Sequence, residues 1–169
     1  MNDQKGFTLI EVLIVAGVIL VIGIFSALAV NSARSKSRDA VRLSQVRMLQ
    51  SALEDFYNEN NGYPRDQGIP LGDATQSACL GAAGFQADCS TDRAVLLRAV
   101  MGTVESGLKD QVICGTPARN AFCYSQLLDA STYRIQFELE NNWNQVGLIQ
   151  GINCAYPDGI EAGRCRLEI

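Results

Sequence analysis

A membrane-length apolar run near the N-terminus constrains the fold of this chain more than any other feature. Residues 12–30 contain no charged side chain, and Glu11 lies just inside the start of the run. Counted from Phe7 to Val30, the run would span about 36 Å as a helix, and the hydrocarbon core of a bilayer is about 30 Å thick. The run can therefore cross a membrane. It is also longer than the apolar core of a secretory signal peptide, which has about 7 to 15 residues.

The position of Glu11 is costly unless the carboxylate has a partner. An acidic side chain in lipid costs roughly 2.5 to 3.5 kcal/mol at the bilayer centre and less near an edge. A cut between Gly6 and Phe7 would create a new ammonium group at the membrane surface, close to Glu11 in the sequence. The two charges are therefore candidates for pairing.

The apolar run continues into a pattern that predicts an amphipathic helix. No proline occurs from Phe7 to Asn60, and Gly17 and Gly23 are the only glycines in that stretch. Beyond residue 30, apolar residues recur at helical spacing, at Val41, Met48, Leu49, Ala52, Leu53 and Phe56. Residues 60–64, Asn-Asn-Gly-Tyr-Pro, are typical of a helix end. We predict one helix whose first part (residues 7–30) crosses the membrane and whose second part (residues 31–61) is amphipathic.

Residues 62–169 predict a small globular domain with an antiparallel sheet. The clearest strand is Tyr133 to Glu140, in which apolar and polar residues alternate. Further strands are expected at 122–126, more weakly at 146–149, and at the edge of the sheet at 166–169. Residues 65–91 are interpreted as a loop, Ser90 or Thr91 as the cap of a short helix that reaches Met101, and residues 114–117 and 141–144 as turns. The predicted fold class is α+β, with Tyr133, Ile135, Phe137 and Leu139 facing Leu49, Leu53 and Phe56 of the helix.

The charges are distributed unevenly along the chain. Residues 48–169 contain 8 Lys/Arg and 15 Asp/Glu, a net of −7, whereas residues 31–47 contain 5 basic residues and 1 acidic residue, a net of +4. Nucleic-acid binding needs clustered cations, so an acidic outer domain argues against it. The +4 segment follows the membrane run and is interpreted either as a contact to lipid headgroups or acidic neighbours, or as a solvated helix face.

Six cysteines, all beyond residue 78, indicate disulfides in an oxidising compartment. By spacing they form three local couples, Cys79–Cys89, Cys114–Cys123 and Cys154–Cys165, although six cysteines allow 15 pairings. The chain has no histidine and no Cys-x-x-Cys pair, which argues against zinc.

No catalytic arrangement is convincing in the sequence, and we expect no enzyme activity and no cofactor. A histidine-dependent triad is impossible, and Glu138 and Glu140 share a strand face where we expect them to be solvated. The acidic and amide residues at 141–144 and 158–161 leave calcium binding open, but they match no fixed loop pattern. Trp143 is interpreted as a half-buried turn residue, with a partner contact as the alternative.

Residues 5–15, Lys-Gly-Phe-Thr-Leu-Ile-Glu-Val-Leu-Ile-Val, resemble the cleavage and methylation motif of type IV prepilins and pseudopilins. The resemblance extends over about the first 64 residues and implies a pilin-like fold. It implies that residues 1–6 are a cytoplasmic leader, that prepilin peptidase cuts between Gly6 and Phe7, and that Phe7 is then N-methylated. Glu11 becomes the fifth residue of the mature chain, the position that the family uses for subunit recruitment.

The same resemblance implies partners and a location. The subunits would polymerise with one another, served by a membrane assembly platform and a cytoplasmic ATPase. Before assembly the chain would lie in the cytoplasmic (inner) membrane as a single-pass protein, with its C-terminal domain outside, and afterwards in a cell-surface or periplasmic filament. The alternative hypothesis is a monomeric, membrane-anchored binding domain that keeps Met1 to Gly6 and never assembles.

One feature departs from many members of that family. They have a helix-breaking proline midway through the apolar run, where the helix melts on assembly, and this sequence has none. Gly17 and Gly23 either supply that weakness, at about 1 kcal/mol each in helix propensity, or permit close packing of helices.

Overall fold

The computed structural model describes residues 8–92, 94–100, 108–109, 111–127, 130–163 and 165. By its internal contacts the chain divides into two compact units, Met1–Ser37 and Arg38–Ile169. The predicted domain boundaries at residues 6, 30 and 61 stay predictions.

One long helix and ten short strands make up the described chain, so the architecture is α+β and pilin-like, as predicted. The helix α1 covers Leu9–Asn60. The strands are β1 (Gln67–Pro70), β2 (Cys79–Gly81), β3 (Gly84–Gln86), β4 (Val95–Leu97), β5 (Ile113–Cys114), β6 (Arg119–Asn120), β7 (Cys123–Leu127), β8 (Thr132–Leu139), β9 (Gly151–Tyr156) and β10 (Gly159–Ala162).

Helix α1 ends where the sequence predicts. Asn61 adopts a left-handed conformation with φ 55°, and its N–H donates to the Tyr57 carbonyl at 2.7 Å. Asparagine tolerates this conformation better than most residues, and it turns the chain out of the helix. Pro64 follows three residues later and lacks the N–H that a helix would need.

Five antiparallel strands form the main sheet, in the order β1-β7-β8-β9-β10. In β8 the four alternating apolar residues are at most 1% exposed, and they belong to the same core cluster as Leu49, Leu53 and Phe56 of α1. The predicted packing of the sheet on the amphipathic half of the helix is therefore confirmed. Two smaller sheets, β3-β2-β4 and β5-β6, complete the second unit among the described residues.

Several local predictions are wrong. Residues 65–91 contain β1, β2 and β3 rather than a loop alone, and the expected helix after Ser90 is replaced by β4, which pairs with Leu80 and Gly81. The weak strand expected at 146–149 is a 3₁₀ turn, Asn144–Val146, and the strand lies further on, in β9. These strands have only three to six residues, which is too short for hydrophobic periodicity to distinguish a strand from a helix or a loop. The edge strand expected at 166–169, and Met101 of the expected helix, lie outside the described residues.

Candidate functional site

The first turn of α1 presents Glu11 from a capped helix start. The Glu11 N–H is held by Thr8, whose carbonyl and hydroxyl oxygens lie at 3.1 and 3.4 Å. Thr8 and Glu11 thus occupy the cap and third positions of the Thr-x-x-Glu pattern that marks helix starts. A carboxylate there is also favoured by the positive end of the helix dipole. The exposed Glu11 side chain is therefore compatible with the helix geometry itself.

The apolar part of α1 is bare in the isolated chain. Its large apolar side chains between Leu9 and Val30 are 47–82% exposed. A Cβ added at Gly17 or Gly23 would meet no atom within 4 Å. Within the described residues α1 is the one helix that is long and apolar enough to cross a membrane, with a mean hydropathy of 2.9 over its most apolar 18 residues. Such a surface is consistent with membrane anchoring.

Two of the predicted site residues, Gly6 and Phe7, lie outside the described residues.

A buried ionic cluster joins α1 to the end of β8, and the sequence interpretation missed it. Asp39 is 0% and Arg42 2% exposed, and their side chains form a 2.7 Å ion pair. Arg42 also forms an ion pair with Glu140 at 2.8 Å. Arg38 donates two hydrogen bonds, of 2.7 and 2.6 Å, to the same carboxylate. The hydrogen bond from Arg38 lowers the pKa of Glu140 below its usual value, and the bond from Arg42 acts in the same direction.

The expectation that Glu138 and Glu140 are solvated is wrong. Glu138 is 2% exposed and accepts the backbone N–H groups of Lys109 and, at 3.0 Å, Gln111. Glu140 is covered by the two arginines of α1. A buried carboxylate needs such donors to offset its lost hydration. Within the +4 segment, Arg38 and Arg42 are thus paired inside the chain, and the expected contact of this segment with lipid headgroups or acidic neighbours stays a prediction.

The cysteines are present in two states. The structure contains the disulfides Cys79–Cys89 and Cys154–Cys165. The third expected bond is not formed: Cys114 and Cys123 are free, and their thiols are hydrogen-bonded to each other. That hydrogen bond lowers the pKa of Cys123 and raises the pKa of Cys114.

In the first of the two candidate calcium segments, residues 141–144, Asn141 and Asn142 are engaged in internal hydrogen bonds. Asn141 donates from its backbone and side-chain amides to Asp39, and the Asn142 side-chain oxygen accepts the Gln150 N–H at 2.7 Å. Trp143 is half-buried in its turn, as predicted, and its ring N–H points to Asp39 at 3.3 Å. Across the described residues no group of three or more Cys, Asp or Glu side chains is arranged to hold a metal ion.

Comparison with known families bears on the N-terminal segment. Residues 1–30 match the family model of the prokaryotic N-terminal methylation motif, which is the prepilin cleavage motif of type IV pilins and pseudopilins. No curated protein and no solved structure matches the chain significantly. The motif supports a type IV pilin-like precursor that is processed by prepilin peptidase.

Proposed function

We propose that this chain is the precursor of a structural subunit of a type IV pilus or pseudopilus. The match of residues 1–30 to the methylation motif is the observation that carries the proposal. The bare apolar surface of α1 supports it, because such a surface needs either lipid or other copies of itself. In this role the chain has no catalytic residues and no cofactor.

Processing would create the assembly site. Scission after Gly6 and methylation of Phe7 would leave an ammonium group four residues before Glu11. In a filament core the Glu11 carboxylate would pair with the Phe7 ammonium of a neighbouring copy. Because each charge would be costly alone in that environment, the pairing would fix the axial offset between neighbours.

The other partners follow from this role. The subunit would wait in the inner membrane as a single-pass protein with its C-terminal domain outside. A membrane platform and a cytoplasmic ATPase would drive its extraction and polymerisation into a surface or periplasmic filament. In the oxidising compartment outside, the Cys114–Cys123 pair would close as a third disulfide, beside Cys79–Cys89 and Cys154–Cys165.

The alternative is a monomeric binding domain on a membrane anchor. It keeps the same apolar helix, but it has no use for the cleavage motif or for a charge at Glu11. The two hypotheses differ in the N-terminus of the protein found in the membrane.

Intact-mass analysis of protein extracted from the source membrane tests the proposal. We expect a chain that begins at N-methylated Phe7. The matched control is the Gly6→Val variant, in which a bulkier residue at the cleavage position should leave residues 1–6 attached. A wild-type chain that retains Met1 or Asn2 would favour the anchored monomer instead.

A further inference from the structure

The two cysteines of the Cys114–Cys123 pair differ in their access to solvent. Cys123 begins β7, which lies inside the main sheet between β1 and β8, and it is 6% exposed. Its chain neighbours Phe122 and Tyr124 are also buried. Cys114 ends β5, which among the described residues pairs with β6 alone, and it is half-buried beside the 55% exposed Ile113. Another molecule therefore reaches Cys114 more readily than Cys123.

Close packing holds the two sulfurs together. Pro70 of β1 lies opposite Cys123 in the main sheet. Gly115, the residue after Cys114, packs against the same proline, and an added Cβ at Gly115 would lie 2.6 Å from the Pro70 side chain. The hairpin of β5 and β6 thus packs beside the start of β7, which places the half-buried thiol next to the buried one.

The chemistry of the two sulfurs differs as well. Their hydrogen bond lowers the pKa of Cys123 and raises the pKa of Cys114. In thiol–disulfide exchange the sulfur of lower pKa is the better leaving group. An external thiol that opens a Cys114–Cys123 disulfide would therefore attack Cys114 and expel Cys123. In the reverse direction, the Cys123 thiolate would attack a mixed disulfide at Cys114.

Access decides which cysteine meets an external disulfide first, because the attacking sulfur must contact that disulfide directly. A thiolate at Cys123 is too buried for this contact. Cys114 becomes the attacking thiolate when the hydrogen that it shares with Cys123 stays on the buried sulfur. Arg119, which lies opposite Cys114 in the β5–β6 ladder, favours that thiolate through its positive charge.

We propose that Cys114 is the exchange sulfur of this pair: it forms a mixed disulfide with an external thiol–disulfide oxidoreductase, and Cys123 resolves that mixed disulfide. First, the Cys114 thiolate attacks one sulfur of the donor's disulfide, forms a bond to it and releases the donor's other sulfur as a thiolate. Second, the Cys123 thiolate attacks the Cys114 sulfur, forms the Cys114–Cys123 bond and releases the donor's first sulfur. The pair loses two electrons and two protons, and the donor's disulfide gains them as a dithiol.

Oxidised glutathione tests this assignment on the full-length, detergent-solubilised protein. Cys123→Ser leaves the thiol of Cys114, and Cys114→Ser leaves the thiol of Cys123, each beside a serine hydroxyl in place of the missing partner. Intact mass records how fast one glutathione is added to each variant. We expect addition to be roughly tenfold or more faster in Cys123→Ser, because its thiol is the accessible one. Peptide mapping that recovers Cys79–Cys89 and Cys154–Cys165 verifies that both variants have folded.

The matched control is the same reaction in urea. Unfolding exposes both thiols, so the two variants should then react at rates within about threefold of each other. Equal rates in the folded variants, or faster addition in Cys114→Ser, would overturn the proposal.

Trapping in the native host provides a second measurement. In cells quenched with acid and then alkylated, Cys123→Ser should accumulate a reducible complex with a second polypeptide linked at Cys114. Cys114→Ser should accumulate roughly tenfold less or none, because its remaining thiol is buried. A complex trapped by Cys114→Ser but not by Cys123→Ser would also overturn the proposal. The proposed function is tested separately, since a wild-type chain that is never cleaved after Gly6 would reject it whichever cysteine exchanges.

Discussion

At the scale of single residues, Asp39 connects helix α1 to the start of the β8–β9 loop (residues 140–150) through several hydrogen bonds. Its two oxygens accept hydrogen bonds from Arg42, from the backbone of Glu140 and Asn141, and from the Asn141 and Trp143 side chains. A carboxylate can accept about four hydrogen bonds, so this one is saturated. Its full burial is tolerated for that reason.

Replacing Asp39 should therefore be strongly destabilising. Asp39→Asn keeps the shape but leaves the buried Arg42 without one of its two carboxylates, and removing one partner of a buried pair costs about 3 to 5 kcal/mol. We expect the lower end, because Glu140 still pairs with Arg42. Urea unfolding of the detergent-solubilised protein measures the loss. Asp55→Asn, an exposed acid on the same helix, is the control and should stay within about 0.5 kcal/mol of wild type.

Protonation of Glu140 should make the free energy of unfolding depend on pH in the acid range. Its pKa in the folded protein lies below the usual value of 4.5, chiefly because Arg38 donates to the ionised form. A carboxyl group whose pKa is lowered by folding stabilises the folded state at a pH above its pKa in the unfolded chain. This stabilisation is lost as the pH falls through the pKa of the group in the folded protein. Between pH 6 and pH 3 the wild type should therefore lose more stability than Glu140→Gln.

The comparison between these two proteins is needed because other carboxyl groups titrate in the same window. Burial raises the pKa of Asp66, which acts with the opposite sign. Hydrogen bonds within their own turns lower the pKa of Asp73 and Asp88. All three are present in both proteins, so the difference in unfolding free energy isolates Glu140. Parallel pH profiles would show that the Arg38–Glu140 pair contributes nothing measurable.

At the scale of elements, the disulfides link paired strands to segments that follow them in the chain. Cys79–Cys89 ties β2 to the segment after β3, and Cys154–Cys165 ties β9 to the residues after β10. Cys114 ends β5 and Cys123 begins β7, so a third bond would fasten the small β5-β6 sheet to the main one. Closing a loop of this length stabilises a domain by roughly 3 kcal/mol on the chain-entropy model.

We expect that third bond in protein taken from the oxidising compartment. The hydrogen-bonded thiols need only an oxidant, for example a disulfide donor that accepts two electrons and two protons. Non-reducing peptide mapping should recover Cys114 and Cys123 in one linked peptide pair. Alkylation of both as free thiols, or a crossed pairing with Cys79 or Cys154, would contradict the prediction.

Elements with a long repeating pattern could be predicted from the sequence, and elements defined by distant pairing could not. Helix α1 has 52 residues without proline, an apolar run of membrane length followed by helical spacing beyond residue 30, and β8 has eight residues of clean alternation. By contrast, β2, β3 and β4 have three residues each, and their identity comes from pairing with one another. The same holds for side chains: Glu138 looks solvated by alternation, but its donors are backbone groups 27 and 29 residues away.

Functional residues that are contiguous in the sequence could also be predicted, and those brought together from distant positions could not. Gly6, Phe7 and Glu11 stand in one contiguous motif, so the sequence alone was enough to predict a processing and assembly segment. The ionic cluster brings Arg38 and Arg42 to Glu140 across 102 and 98 residues. The available signal was the isolated acid Asp39 among five basic residues, and it indicates a buried pair only once the helix face is known.

At the scale of the whole molecule, the two compact units differ in how far their side chains are buried, and we expect them to serve different functions. The described part of the first unit is a helix with exposed side chains and no core of its own, while the second unit has a buried core, disulfides and an ionic cluster. Stability of the folded domain therefore depends on the second unit, and membrane residence and polymerisation are expected to depend on the first. We expect substitutions in the described part of the first unit to leave the fold of the second unit unchanged.

Glu11 is the residue that tests this separation most directly. Glu11→Ala keeps the Thr8 cap, because Thr8 accepts the backbone N–H of residue 11 and not its side chain. Membrane insertion should be intact or improved, since the apolar helix loses its acid, and the second unit should fold as before. Filament incorporation should fall sharply, because the Phe7 ammonium of a neighbour would be buried unpaired, a loss of about 3 to 5 kcal/mol if fully enclosed.

The measurement compares surface filaments with membrane-retained subunit at equal expression. Glu11→Gln, which has nearly the same shape but no charge, should fail like Glu11→Ala, whereas Glu11→Asp should recover part of the yield because it keeps the charge. An anchored monomer predicts no difference among the four proteins. Since assembly would require each new ammonium to find a carboxylate one subunit away, full filament yield from Glu11→Ala would remove the proposed basis of axial register. It would leave the apolar helix as a membrane anchor alone.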